Sequence, residues 1–130
     1  MEGRKVKMLI TEINGANLAY LGDAVMELLV RKKLVISGGK LGDINKIADS
    51  YVRAGKQSEA ADKLQSVLTE EETAVYKRGK NIHHNSIPKN ATEKQYKKAT
   101  GLEALFGYLY LKGENDRIEE LFELGFSLPS

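Results

Sequence analysis

Two apolar stretches, far apart in the sequence, each contain a carboxylate and glycines where an unbroken apolar helix would be expected. The first is LAYLGDAVMELLV, residues 18–30, with Gly22 and Asp23 inside it; the second is TGLEALFGYLYL, residues 100–111, in which Glu103 has a glycine on either side. Burying an ionised carboxylate without a partner is costly, and a glycine in a helix interior costs about 1 kcal/mol relative to alanine. Glycine also permits close approach by another backbone or by a ligand.

A divalent cation shared by the two stretches would explain both interruptions. A lone helical aspartate is more often balanced by an ion pair or a hydrogen bond within a helix bundle, and Glu27, one turn after Asp23, is expected to form a surface pair with Arg31. Two glycine-flanked acids on two apolar helices instead favour Mg²⁺, which proteins commonly hold by one or two carboxylates, several waters and substrate phosphate oxygens. We therefore predict that Asp23 and Glu103 come together in space as metal ligands.

The apolar residues follow the helical period along almost the whole chain, and no segment of more than a few residues alternates with period two. In the first helix the residues on this period are Leu18, Leu21, Val25, Leu28 and Leu29. Two capping boxes, Thr69-Glu70-Glu71-Glu72 and Thr92-Glu93-Lys94-Gln95, mark the starts of two further helices. We predict an all-α chain, with helices over about 16–35, 43–67 (weakest near Gly55), 69–80, 92–112 and 116–124, and with a loop over 81–91.

Length and composition exclude several classes of protein. At 130 residues the chain suits one domain with its own core, so we expect a single domain over 1–130. The absence of cysteine excludes disulfides, thiolate metal sites and a cysteine nucleophile. No apolar run approaches the ~18 residues that a membrane span needs, and the first residues do not resemble a cleaved signal. We expect a cytoplasmic protein without membrane association.

Positive charge is concentrated in one part of the chain, although the net charge is only +2. Residues 76–98 contain seven basic residues and one acid, whereas residues 113–130 contain five acids and one basic residue. A basic strip combined with an acidic end is compatible with a polyanion-binding surface. A run of lysines is equally often a solvated helix face, so both interpretations stay open for Lys94, Lys97 and Lys98.

The two apolar stretches resemble parts of a known family. LAYLGDAVMEL resembles the signature helix of the ribonuclease III domain, and GLEALFGYLYL resembles its last core helix, in the same order and about eighty residues apart. The segments LTEEETAVYKRGKN and PKNATEKQYKKATGLEALFGYLYLKG, together with the short chain, resemble the Mini-ribonuclease III subgroup, which consists of the catalytic domain alone. The resemblance extends from about Leu18 to Leu121.

This resemblance implies a ribonuclease III endonuclease domain, an all-helical bundle that forms a two-fold homodimer and cleaves double-stranded RNA with Mg²⁺. By position, Asp23 matches the family's catalytic aspartate and Glu103 its catalytic glutamate. Ala19 and Thr100 stand where larger members carry two further acids, so we expect one Mg²⁺ at each site. The subgroup trims ribosomal RNA precursors, which implies maturation of the ends of large-subunit (23S) RNA and products with 5′-phosphate ends.

The RNA contacts are expected to come from this same domain, because the chain lacks the separate double-stranded-RNA-binding domain of the larger enzymes. Duplex RNA is recognised mainly through its phosphates and 2′-hydroxyls across the minor groove. For His83 and His84, simple surface exposure is an equally good explanation. The candidate RNA-binding residues are Arg78, Lys80, His83, His84, Asn85, Lys89 and Asn90.

Two other functions stay open. A non-catalytic module of ribonuclease III fold, which holds duplex RNA without cutting it, is consistent with Ala19 and Thr100. An inactive scaffold would, however, gain stability by replacing Asp23 and Glu103 with apolar residues. A helical protein-interaction domain would leave the two acids and the basic strip unexplained. We therefore predict an endoribonuclease.

Overall fold

The computed structural model describes residues 10, 12–82 and 91–126. The regular secondary structure of these residues is helical, and no strand occurs among them. No helix in these ranges has the length and apolar character needed to cross a membrane. Six helices lie wholly within this part of the chain: α1 (Gly15–Ser37), α2 (Leu41–Tyr51), α3 (Ala54–Leu64), α4 (Glu70–Lys80), α5 (Glu93–Leu111) and α6 (Asn115–Gly125).

The helix ends follow from local sequence. Both predicted capping boxes are present, at Thr69 before α4 and at Thr92 before α5, and each hydroxyl accepts a bond from the third residue of its helix. Gly113, in the left-handed conformation at φ +76°, closes α5 as predicted. The amide of Gly113 donates to the Tyr110 carbonyl and that of Glu114 to the Leu109 carbonyl, both at 3.0 Å, a glycine-dependent helix ending.

The long helix predicted over 43–67 is two helices. α2 ends at Tyr51, and Arg53 is extended (φ −78°, ψ 151°) before α3 begins at Ala54. The break therefore lies just before Gly55, where the sequence predicted a weak point. Because the chain turns there, α3 packs against α5 instead of continuing along α2.

α5 is the central helix of the bundle and packs against α1, α3, α4 and α6. Leu102, Leu105, Phe106 and Leu109 on this helix are almost completely withdrawn from solvent. Each such side chain contributes roughly 1.5–3 kcal/mol to folding through burial. Leu28 lies on the apolar period of α1, but its side chain is 64% exposed.

Glycines allow the helices to cross in direct backbone contact. A Cβ atom added at Gly22 would overlap the Glu103 carbonyl group and lie 2.8 Å from the Gly107 nitrogen; one added at Gly107 would overlap the Leu18 carbonyl group. Real Cβ atoms do not approach so closely, so α1 and α5 require glycine at this crossing. The predicted close approach at Gly22 is therefore made by another backbone.

Candidate active site

The helix crossing brings the two predicted acids together. Asp23 directly follows Gly22 on α1, and Gly22 contacts the backbone of Glu103 itself on α5. The two carboxyl groups share a hydrogen bond. Asp23 is exposed, whereas Glu103 is partly buried, so one acid faces solvent and the other lies behind it. Residues 80 positions apart in the chain are thus adjacent because two glycines permit the crossing.

This arrangement changes the protonation of Glu103. Burial raises the pKa of Glu103 to about 9, and the charge of Asp23 and its hydrogen bond act in the same direction. The Gln57 side chain opposes them and lowers the pKa. Two carboxyl groups this close do not both ionise without a cation, so Glu103 is protonated at neutral pH in the protein alone. A cleft residue with its pKa perturbed in this way is typical of a functional site.

A cleft of about 310 Å³ opens beside Glu103, between the start of α3 and the first half of α5. A larger cavity of about 460 Å³, lined by residues of α1 and α6, includes neither acid in its lining. The cleft combines a carboxyl group with a guanidinium and with hydrogen-bond donors. The polar side chains that line it are Arg53, Gln57, Tyr96, Thr100 and Glu103.

The donor set of the site suits Mg²⁺ but would fill only part of its coordination. Among the described residues, no group of three histidines or acids is placed to hold a metal ion. Ala19 is buried, and the Thr100 hydroxyl donates to the Tyr96 carbonyl at 2.9 Å, so neither adds a ligand. Two carboxylate ligands are typical of Mg²⁺ sites that keep waters and take up substrate phosphate. A divalent ion would also allow both carboxyl groups to ionise.

Two of the seven predicted RNA-binding residues, Arg78 and Lys80, lie among the described residues. Arg78 is exposed, and its guanidinium donates to the Ile13 carbonyl; Lys80 is half-buried and forms no ion pair with a described residue. Their role in RNA binding stays a prediction. The other candidates, His83, His84, Asn85, Lys89 and Asn90, lie outside the described residues.

Part of the basic strip is neutralised within the protein. Lys98 pairs with Asp62 at 2.7 Å and Lys97 with Glu93 at 3.2 Å, which favours the structural interpretation for these two lysines. Lys94 is exposed. On α1, the surface pair expected between Glu27 and Arg31 is present at 2.5 Å.

Sequence reasoning missed Gln57 and Arg53 as members of the site. Gln57 is 1% exposed, and no described residue accepts a hydrogen bond from its Nε2 atom. A single glutamine in a helix carries no pattern that would mark it. The available signal is its place four residues before Ala61, on the inward face of α3, but the sequence does not show that this face meets Glu103.

Comparison with known proteins decides the family. Residues 16–114 match the family model described as the Ribonuclease III domain. The chain belongs to the ribonuclease III family. This confirms the resemblance seen in the two apolar stretches, and membership of this family makes the chain an endoribonuclease.

Relatives in the ribonuclease III family match over most of the chain. It is 40% identical to Mini-ribonuclease 3 of Clostridium tetani, over 94% of this chain and 82% of the relative. It is 41% identical to Mini-ribonuclease 3 of Enterococcus faecalis, over 85% of this chain and 86% of the relative. A crystal structure of a protein from Fusobacterium nucleatum is similar with a TM-score of 0.79 and 36% identity, over 85% of this chain and 88% of that chain. The all-α ribonuclease III fold is thereby confirmed.

Proposed function

We propose that this endoribonuclease uses Mg²⁺ at Asp23 and Glu103 to cleave double-stranded RNA, and that its substrate is the precursor of 23S ribosomal RNA in the cytoplasm. The observation that carries the proposal is the contact between these two carboxyl groups beside an open cleft. The relatives named Mini-ribonuclease 3 support the substrate class. The products would carry 5′-phosphate ends.

Asp23 and Glu103 would hold the metal ion. When bound, Mg²⁺ acts as a Lewis acid on a phosphate oxygen and lowers the pKa of a coordinated water. Glu103 would have to be ionised to hold the cation, and it would contribute a partly buried carboxylate, whose attraction to a cation is stronger than in water. Asp23 contributes the exposed carboxylate, on the side from which a phosphodiester can approach. The backbone contact at Gly22 keeps the two side chains together.

We further propose that the enzyme acts as a homodimer. Tyr20 is 85% exposed and Leu28 is 64% exposed, and both lie on α1 within five residues of Asp23. Large apolar side chains exposed together are typical of an interaction surface. A two-fold dimer formed through this face would present one site to each strand of an RNA duplex.

The RNA backbone would be bound by cations near the site. Lys80 and Arg78 lie at the end of α4, which packs against α5. Together with His83, His84, Asn85, Lys89 and Asn90, they are our candidates for contacts to phosphates and 2′-hydroxyls. Such contacts would recognise the shape of duplex RNA and only weakly its sequence.

The test is cleavage of a long RNA duplex by the purified protein, with Mg²⁺ and with a chelator. We expect the wild type to cleave only with Mg²⁺ and the Glu103→Gln variant to be inactive in both conditions. The matched control is Glu27→Gln, which removes an acid one turn from Asp23 that already pairs with Arg31; this variant should cleave normally. Undiminished cleavage by Glu103→Gln would overturn the proposal. A precursor 23S stem, cut at the mature ends, tests the substrate.

A further inference from the structure

Gln57 occupies an unusual position in the bundle. It lies in the first turns of α3 and is almost completely withdrawn from solvent, at 1% exposure. Its Nε2 atom is the one buried side-chain nitrogen or oxygen among the described residues that lacks a hydrogen-bond partner. A buried donor left unsatisfied costs about 1–3 kcal/mol. An apolar side chain of the same size would avoid this cost, so the amide requires an explanation.

The candidate acceptor for the Gln57 amide is the carboxyl group of Glu103. Both residues line the same cleft, Gln57 from α3 and Glu103 from α5, and these two helices pack against each other. The Nε2 atom has no hydrogen-bond partner of normal geometry among the described residues, and Glu103 is the carboxyl group that shares the cleft with it.

We propose that Gln57 is a positioning residue, whose side-chain amide would donate to the Glu103 carboxylate and orient it when a divalent cation is held by Asp23 and Glu103. This inference rests on the proposed Mg²⁺ site. With a cation bound, Glu103 would be ionised and would no longer share a proton with Asp23. Its partly buried carboxylate would then have two acceptor oxygens, and Gln57 would supply a donor to one of them.

The same role is found widely among metal sites. Carboxylate ligands are usually held by a second hydrogen-bonded residue, and loss of such a residue typically weakens metal binding by about 10–100-fold. A neutral amide suits the position, because it donates without adding charge between the two acids and the cation. Catalytic hydrogen bonds are also often long or misaligned before ligands bind.

The proposal can be tested without measuring cleavage. In ¹⁵N-labelled protein, the side-chain amide signal of Gln57 is identified by its absence from Gln57→Met. We expect this signal to shift on addition of Mg²⁺ to the wild type and to stay unchanged in Glu103→Gln. We also expect Gln57→Met to bind Mg²⁺ about tenfold more weakly by calorimetry and to unfold at the same temperature as the wild type or above it.

Cleavage kinetics separate positioning from a structural role. In Gln57→Met the Mg²⁺ concentration for half-maximal cleavage should rise about tenfold, while the KM for duplex RNA stays unchanged. Ser58→Ala, a buried polar residue on α3 that does not line the cleft, is the matched control and should behave as the wild type. An amide signal that does not respond to saturating Mg²⁺, or wild-type Mg²⁺ affinity in Gln57→Met, would overturn the role of Gln57. Failure of the wild type to cleave RNA would instead overturn the proposed function.

Discussion

Glu72 on α4 is buried and Glu103 on α5 is partly buried, and the neighbours of the two acids differ. Arg117 on α6 donates to both oxygens of Glu72, through Nε and a terminal nitrogen, each at 2.8 Å, and the Thr69 amide adds a third bond at 2.9 Å. Glu103 has Asp23 beside it. The hydrogen bonds from Arg117 therefore lower the pKa of Glu72, whereas burial and Asp23 raise that of Glu103.

The difference distinguishes an acid that the protein pairs with its own arginine from an acid that we propose as a metal ligand. At Glu72 the protein supplies the positive charge itself, and the same arginine also donates to the Val67 carbonyl at 2.8 Å, so it fastens α6 to the start of α4. At Glu103 no ion pair with a described residue is formed; Arg53 lines the same cleft, and we propose that a bound metal ion supplies the balancing charge. Perturbed acids of this second kind cluster at functional sites.

The comparison predicts its largest effect for Asp23→Asn. This change removes one proposed metal ligand while leaving the helix crossing intact, so cleavage of duplex RNA should fall on the order of a thousandfold or more. Circular dichroism and sedimentation should show an unchanged fold and dimer. Cleavage at the wild-type rate would remove Asp23 from the site and would make its contact with Glu103 a structural one.

Glu72→Gln should do the opposite: it should lower the free energy of unfolding and leave the rate of RNA cleavage unchanged. It removes the buried partner of Arg117 and leaves the arginine only its pair with Glu120 near the surface, so the loss should approach the roughly 3 kcal/mol typical of a broken buried pair. Urea denaturation measures the loss of free energy of unfolding. The folded fraction should cleave RNA at the normal rate, because Glu72 is not one of the residues that we propose take part in cleavage. If activity fell with no loss of stability, the assignment of Glu72 as a structural acid would be wrong.

The pH dependence of stability should differ in sign between the two acids. Glu72 has a pKa below its unfolded value, so its contribution is present at neutral pH and is lost as the pH falls through the acid range. Glu103, with a pKa raised to about 9, retains its proton when folded and loses it when unfolded. Without metal it therefore lowers stability progressively as the pH rises from the usual carboxyl range towards 9.

This difference in pH dependence can be tested by measuring the midpoint of urea unfolding from acid to alkaline pH, in the absence of metal. Glu103→Gln should reduce the decline at alkaline pH and leave the decline at acid pH, whereas Glu72→Gln should reduce the decline at acid pH, to which Glu71 also contributes, and leave the one at alkaline pH. Mg²⁺ should stabilise the wild type at pH 8 and have no such effect on Glu103→Gln. A wild-type protein whose stability does not fall above neutral pH would contradict the protonated state of Glu103.

The smallest expected effect concerns duplex-RNA binding by the basic side chains that we propose contact its phosphates. Lys80→Met should reduce the salt slope of duplex binding by about one unit, since one phosphate contact is lost. Lys98→Met is the matched control, because Lys98 is already paired with Asp62 and should leave the slope unchanged. Fluorescence anisotropy with a catalytically inactive variant measures both. Equal slopes for all three proteins would place the RNA away from the end of α4.

Local signals account for what the sequence predicted well. Capping boxes and the glycine after α5 act within a few residues, so helix ends at Thr69, Thr92 and Gly113 were predicted correctly. The break between α2 and α3 was predicted only as a weak point, because the sequence around Gly55 does not show that the chain turns at Arg53. Leu28 lies on the apolar period but is exposed, because the buried face of α1 is centred on its crossing with α5 at Gly22 and does not follow apolar character alone.

The same distinction applies to the site, where two residues could be predicted from the sequence and two could not. Asp23 and Glu103 could be paired in advance because each interrupts an apolar helix beside a glycine, and the family resemblance points to the same two positions. Gln57 and Arg53 could not be found, since an ordinary glutamine and an ordinary arginine gain meaning only from the surface that α3 turns towards α5. Proximity in three dimensions, which no spacing in the chain encodes, makes them part of the cleft.

The backbone contact between Gly22 and Gly107 has a consequence for how this enzyme tolerates change. Because main chain rests on main chain at this crossing, exchanging one large aliphatic residue for another around Phe106 should leave the spacing of the two acids unchanged. Resistance to heat could then be altered in that part of the core with little effect on turnover, provided that both glycines of the crossing keep no side chain.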